Sequence, residues 1–408
     1  MEKERSPNFI INHPIIRTQK KAATSNSFPN NHQVEESLIP SDLLNESSEY
    51  ESSAIKKSTH HHPKSQSPKK RQASSSSKPP KQNTYHLLFE ADIKELIPQL
   101  KTHYGSICFQ NSLTSLNENE INALLIRICP HLTELMCSHY GNYFIQKLFQ
   151  KLNYNQRILI FSLIQYTFIQ LSTDKIGTYS IQALIDSIKT PSEEKIIQSL
   201  LMQNLLLLFC NENGHHIIQK IIIDFPEHKR EFLSDFIIDN IDKICMSEYG
   251  SLCMVKFIIM NSNLNLRLKM IKALEKHVYK LFSNKNSCAV LLFLMEKYGY
   301  PYSGFIISEI KKNIVFFSIQ NPLTYSIAEK SIELLNKFDN NDFVLFSWNV
   351  IKSDKILKNM AQSESGKKIL IAILNHINVE QKNFFRSKKA SYFIHDQNTY
   401  EIIMNLLN

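Results

Sequence analysis

Apolar residues between Leu132 and Ile164 fall in three short clusters at helical spacing, separated by polar residues and by one glycine. Leu132, Leu135 and Met136 form the first cluster, Phe144, Ile145 and Leu148 the second, and Ile158, Phe161 and Ile164 the third. Residues three and four apart share one side of a helix. The pattern therefore predicts a helix that begins at Pro130 and is stopped by Gly141, a second through Asn142 to Leu152, and a third from Gln156 to Tyr166.

The glycine recurs. Gly105, Gly141, Gly177, Gly214 and Gly250 are separated by 36, 36, 37 and 36 residues. A period of that length marks a solenoid, in which each unit exposes apolar faces that only a neighbour can cover. Two-helix repeats of similar length need longer helices, and a glycine inside one costs about 1 kcal/mol. Three short helices per period fit better.

Composition narrows the class further. With 43% hydrophobic residues but only 8 glycines and 14 prolines in 408 residues, turns are too sparse for an all-β sandwich or barrel, and an all-α chain is expected. Seven cysteines with no CxxC pair argue against a disulfide framework and a structural zinc site, so reduced and mostly buried thiols are expected. The most apolar stretch, Leu200 to Cys210, already contains Gln203 and Asn204, and Met1 to Asn12 has no apolar signal region. No membrane span is expected, and a cytosolic address follows by default.

Residues 1–84 are rich in Ser, Asn, His, Lys and Pro, too poor in apolar groups to offset the entropy of ordering, so a disordered basic tail is expected with folded structure from Tyr85 to Asn408. Lys56 to Lys81 holds eight basic and no acidic residues, including Lys69-Lys70-Arg71, which reads as a solvated linker or a nuclear signal. His60, His61 and His62 read as a surface tract. The net charge of +9 favours a polyanionic partner. Residues 1–84 hold 13 Lys/Arg against 8 Asp/Glu, leaving 34 against 30 in the body, so a nucleic-acid site there must work through arranged side chains.

The residues after each glycine carry the chemistry. Gly105-Ser-Ile-Cys-Phe-Gln110, Gly141-Asn-Tyr-Phe-Ile-Gln146, Gly177-Thr-Tyr-Ser-Ile-Gln182 and Gly214-His-His-Ile-Ile-Gln219 each place a polar residue four positions before a glutamine. On a helix those side chains lie side by side, and the residue after the first points about 100° round. The pairs Ser106/Gln110, Asn142/Gln146, Thr178/Gln182 and His215/Gln219 thus suit the hydrogen-bonding edge of an unpaired base. Ile107, Tyr143, Tyr179 and His216 offer plates against its face.

At these positions the chain resembles the repeats of the Pumilio/PUF family, over roughly residues 85 to 408. Gly141-Asn-Tyr-Phe-Ile-Gln-Lys147 and Asn213-Gly-His-His-Ile-Ile-Gln-Lys220 are the closest matches. The resemblance implies a curved, right-handed α-solenoid of about eight three-helix repeats that binds single-stranded RNA antiparallel to the chain, roughly one base per repeat. It implies a uracil reader at Asn142 and Gln146, an adenine reader at Ser106 and Gln110, and an adenine-like one at Thr178 and Gln182. His215 departs from the customary small residue and leaves its base open. Repeats one to four would face a sequence resembling NAUA. The family implies repression or decay of messages through 3′ untranslated elements, with deadenylase or translational-repressor proteins as partners, a monomeric chain, no cofactor and no catalytic activity.

The C-terminal units depart from the pattern. Gly250 is followed by Ser251, Leu252 and Val255, and Asn286 by Ser287, Cys288 and Leu291, so an aliphatic residue replaces the glutamine. Ser251 and Ser287 are the expected edge positions there, with Leu252 as a plate. A seventh unit places Tyr325, Ser326 and Glu329 in register, Glu329-Lys330 resembling the family's guanine reader. An eighth follows Gly366 with Lys367, Lys368 and Ile371, and Asn398 to Ile403 caps the array.

The same residues admit other readings. His215-His216 has no carboxylate or cysteine at ligand spacing, and adjacent helical residues do not converge on one ion, so neither a metal site nor an enzyme is expected. Two rivals remain: a nuclear or nucleolar relative that clamps ribosomal precursor RNA with little base preference, and a helical scaffold that binds a peptide through its aliphatic C-terminal units.

Overall fold

The computed structural model describes residues 81–318 and 322–408, so the tail expected over 1–84 lies almost wholly outside the described residues. These are helical throughout, without a strand. A leading helix, α1 (Lys81–Phe89), precedes the repeats. The first triplet is α2 (Ile93–Leu100), α3 (His103–Ser112) and α4 (Glu118–Ile128), and the second is α5 (Leu132–Met136), α6 (Gly141–Phe149) and α7 (Tyr154–Ile164). The third is α8 (Phe168–Thr173), α9 (Gly177–Asp186) and α10 (Pro191–Met202), and the fourth α11 (Leu205–Cys210), α12 (Gly214–Asp224) and α13 (Glu231–Asp239).

The fifth triplet is α14 (Ile241–Met246), α15 (Glu248–Met260) and α16 (Leu264–Leu281). Here three short helices were expected per period, yet α16 runs on through what would be the first helix of the sixth unit. No glycine or proline interrupts residues 264–281. The sixth unit continues with α17 (Lys285–Tyr298) and α18 (Tyr300–Lys312), the seventh is α19 (Ile314–Ser318), α20 (Pro322–Phe338) and α21 (Asn340–Lys352), and the eighth is α22 (Asp354–Ala361), α23 (Glu364–Leu374) and α24 (Val379–Lys388). α25 (Gln397–Leu407) closes the array.

A side-chain cap sets the start of each middle helix that opens on a glycine. The N-terminal N–H groups of a helix lack intrahelical partners, and Ser, Thr, Asp or Asn at the cap supplies one. Thr102, Ser138, Asp174, Asn211, Ser247 and Ser363 accept hydrogen bonds of 2.7–3.3 Å from the N–H groups of Gly105, Gly141, Gly177, Gly214, Gly250 and Gly366, each three positions on. Each glycine stands where the end of the preceding helix passes closest. A Cβ on Gly105, Gly177, Gly250 or Gly366 would lie 2.1–2.7 Å from the carbonyl oxygen six residues earlier, Gln99, Leu171, Ile244 or Met360.

That contact is backbone and cannot swing aside. Gly250→Ala is therefore expected to lower stability by about 2 kcal/mol or more, as strain at a crowded backbone site does. Gly304, in α18, has open space around its Cβ position. Gly304→Ala should be neutral or stabilising by up to about 1 kcal/mol. Urea unfolding of the two variants checks the contrast, and equal losses would refute the packing account.

Successive middle helices pack on one another in chain order: α3, α6, α9, α12, α15, α17, α20, α23 and α25 form one row. One apolar core runs the length of the array, from Leu88 to Leu407, as expected where each unit covers the next. Polar ties one repeat apart hold the register. Examples are Asn213 Nδ2 donating to Thr173 O at 2.9 Å, Asn286 Nδ2 to Met246 O at 3.1 Å, and Gln156 Nε2 to Asn122 Oδ1 at 2.7 Å.

Candidate nucleic-acid interface

Each middle helix of the first four repeats carries its motif in the same orientation. Ser106, Asn142, Thr178 and His215 are buried, as is Ser251 in the fifth. Gln110, Gln146, Gln182 and Gln219 are half-buried. Ile107 and Tyr143 are exposed, while Tyr179, His216 and Leu252 are half-buried. Because the helices stand side by side, these residues form one row, with a glutamine and a plate advancing by one repeat at each step.

The two polar tips of each pair differ in exposure. Gln110 Nε2 donates to Ser106 Oγ at 3.0 Å, Gln146 Nε2 to Asn142 Oδ1 at 2.7 Å, and Gln182 Nε2 to Thr178 Oγ1 at 3.4 Å. The inner residue is tied in turn to backbone. Ser106 Oγ donates to Tyr140 O at 2.8 Å and Thr178 Oγ1 to Asn213 O at 3.1 Å, both in the next repeat, and Asn142 Nδ2 donates to Ser138 O and His139 O at 2.8 Å. Position and orientation of each of these three glutamines are thus set from behind. Its Oε1 and second N–H are left for a partner, an acceptor and a donor on one amide, as a base edge requires.

The fourth repeat is different. His215 is 1% exposed, its ring 3.9 Å from that of His216 and stacked 5.0 Å from that of Tyr249. Burial, with His216 alongside, pulls its pKa down to about 4, so it is neutral at physiological pH. Its Nδ1 faces the carbonyl of Asn211 at 3.2 Å, which only a donor can satisfy, so the lone pair belongs to Nε2. That nitrogen is buried without a hydrogen-bond partner.

In the fifth repeat Ser251 Oγ donates to Glu248 O at 2.6 Å, and Leu252 and Val255 occupy the plate and glutamine positions. The sixth repeat corrects the register expected from sequence. Ser287, expected at an edge position, is fully buried and stands in the place of the glycine. Its N–H is capped by Asn284 three residues before, and its Oγ donates to the carbonyl of Leu281 six residues before, where the other repeats place a bare glycine. The row continues one residue later, through Cys288, Ala289 and Leu292. The missed signal was the cap residue, which keeps its offset of three where the glycine is lost. The same offset puts Thr399 at this position in the closing unit, under Asp396.

In the seventh unit Thr324 is buried, Tyr325 half-buried and Glu329 exposed. Burial, reinforced by a hydrogen bond to Glu329, pushes the Tyr325 hydroxyl up to about 12. Lys368 Nζ, from the plate position of the eighth unit, lies 5.6 Å from the Tyr325 ring centroid. Lysines beside the row are not all available for phosphate. Lys220 bridges Asp186 at 2.5 Å and Asp224 at 2.9 Å, and Lys330 pairs with Glu333 at 2.9 Å.

Fold and site together define a helical-repeat protein that presents one polar pair per repeat along a row of middle helices. A family model described as the Pumilio-family RNA binding repeat matches residues 131–164, 168–201 and 210–238, the second to fourth triplets. Over those three triplets the chain carries Pumilio-family repeats. No curated protein sequence matches it significantly.

Among solved structures it is similar to the Puf4 RNA binding domain bound to the HO endonuclease RNA 3′ UTR recognition sequence, at 21% identity over 76% of this chain and 91% of that one, with a TM-score of 0.59. The RNA-binding domain of yeast Puf5p bound to SMX2 RNA is 19% identical over 78% of this chain and 96% of its own, with a TM-score of 0.60. PUF-8 in complex with PBE-RNA is 15% identical, with the same coverage and a TM-score of 0.56. At these identities the likeness establishes the solenoid fold.

Proposed function

We propose that the chain binds single-stranded RNA selectively, with repeats one to four holding one base each between plates and glutamine amides. The observation that carries this reading is the succession of Gln110, Gln146, Gln182 and Gln219 on adjacent helices, the first three held from behind by hydrogen bonds to their inner partners. Stacking on such plates is worth about 1 to 3 kcal/mol per base. In repeats five and six Val255 and Leu292 stand where the amides would be and have no hydrogen-bonding group, so the amide contact is absent there. The RNA-bound Puf domains of similar fold support the same reading.

The ligand in this proposal is an adenine- and uracil-containing 3′ untranslated element of messenger RNA, and its consequence is repression or decay in the cytoplasm through recruited deadenylase or repressor proteins. Selection from random RNA with the full chain tests it. A recovered motif with adenine or uracil opposite the first three repeats is expected. Flat enrichment would refute base selection, and crosslinking confined to ribosomal precursors would refute the messenger target.

A further inference from the structure

The glutamine-bearing repeats of the row sit in the less basic half of the body. Residues 85–240 hold 12 Lys/Arg against 16 Asp/Glu, whereas residues 241–408 hold 22 against 14. Much of that excess gathers on α16. Lys269, Lys272, Lys276 and Lys280 follow one another at steps of three, four and four residues, which puts them within about 80° of the helix circumference and roughly 4.5 to 6 Å apart along its axis. All four are exposed. Lys280 shares its charge with Asp242 at 2.8 Å, but among the described residues no carboxylate forms a salt bridge with Lys269, Lys272 or Lys276.

The opposite side of α16, carrying Met270, Ala273, Leu274 and Leu281, is buried in the core. Beside the lysines stand Leu268, 42% exposed, and Tyr279, 59% exposed, whose ring stacks on Phe316 at 5.4 Å. Glu275 is the acidic residue on this edge. The helix packs against α13, α14 and α18, whereas the reading row passes through α15 and α17.

Resting on the reading of the row as an RNA site, we infer that this face of α16 is a second, sequence-independent contact for the sugar-phosphate backbone of RNA flanking the element. Lys269, Lys272 and Lys276, three cations at short intervals, match a chain of phosphates, and Tyr279 offers a stacking surface to a flanking base. The arrangement does not suit insertion into a membrane, because the apolar side of α16 is already used by the core. It adds attraction beside a row in which Lys220 and Lys330 are neutralised by carboxylates, whereas Lys269, Lys272 and Lys276 of α16 form no such pair among the described residues.

The test compares the full chain with its Lys269→Gln/Lys272→Gln/Lys276→Gln variant on two AUA-containing RNAs, one limited to the element and one extended by uridine flanks, over a range of potassium chloride. On the flanked RNA the slope of log affinity against log salt should fall by about 2, three phosphates at about 0.7 each. The short RNA should bind both proteins alike, and the Lys→Arg triple variant should keep the original slope. An unchanged slope on flanked RNA overturns the inference and leaves the row intact. If Gln146→Ala alters nothing while the lysine variant loses its slope, the row fails and the α16 contact stands. Tighter capture by anionic vesicles than by flanked RNA would overturn the choice of ligand.

Discussion

Arg157→Ala is expected to destabilise the array by about 3 to 5 kcal/mol, because it leaves a buried carboxylate without its counter-charge. Arg157 and Glu193 join the third helices of repeats two and three, with side chains 3% and 0% exposed. The guanidinium donates through Nε and Nη2 to the two carboxylate oxygens, and through Nη1 to Leu152 O at 2.6 Å. Glu193 Oε2 also accepts from the N–H groups of Lys189 at 3.1 Å and Thr190 at 2.9 Å and from Thr190 Oγ1 at 2.8 Å.

Burial alone would raise the Glu193 pKa, but Arg157 and these donors outweigh it and hold the carboxyl below its ordinary value. A carboxylate depressed in the folded state contributes stability that is present above its unfolded pKa and lost as pH falls through the folded one. Acid should therefore loosen repeats two and three in the wild type, and Arg157→Ala should blunt that dependence. Urea unfolding followed by amide exchange in α7 and α10 reads both effects. Replacing both partners by leucine should recover most of the loss, since a buried pair exchanged for apolar packing is often near neutral. A single variant as stable as the wild type would refute the assignment.

Removing the Asn142/Gln146 pair is expected to abolish discrimination at one base while leaving the others intact. Asn142 is wedged against Ser138 O and His139 O and fixes the amide of Gln146, so Asn142→Ala should free the glutamine and Gln146→Ala should remove the contact itself. A well-placed pair of this kind is worth about 1 to 3 kcal/mol against the wrong base. Tyr143, 53% exposed beside it, acts on a different quantity. Tyr143→Ala should weaken all bases at that position by about 1 to 3 kcal/mol without changing their ranking, because every base has a stacking face. Anisotropy titrations with the four bases substituted opposite repeat two separate the two losses. An unchanged ranking in the double variant Asn142→Ala/Gln146→Ala would sink the proposed role of the row.

How far the sequence reached depended on how local each feature is. Glycines, helical spacing and the Gly-x-x-x-x-Gln motif act within a few residues, and they led to helix triplets in one register. The sixth unit escaped because its glycine is a serine. Ser287 fits only by donating to Leu281 O, a partner that exists once the preceding helix is in place. α16 escaped because the third helices of repeats two to four also end without a glycine or proline, so no local residue marks where residues 264–281 run on as one helix.

Residue pattern by itself determined the all-helical solenoid, its repeat and the side of each middle helix that carries the polar pair, since periodicity and capping need no distant partner. Tertiary packing alone decided that Ser106 and Thr178 are wedged against the next repeat while their glutamines reach toward the surface. It also decided that Lys220 is silenced by Asp186 of the preceding repeat while Lys269, Lys272 and Lys276 stay open on α16. These outcomes depend on atoms brought together from about one repeat away, where distance and burial, rather than residue type, set whether a polar group is bound or free.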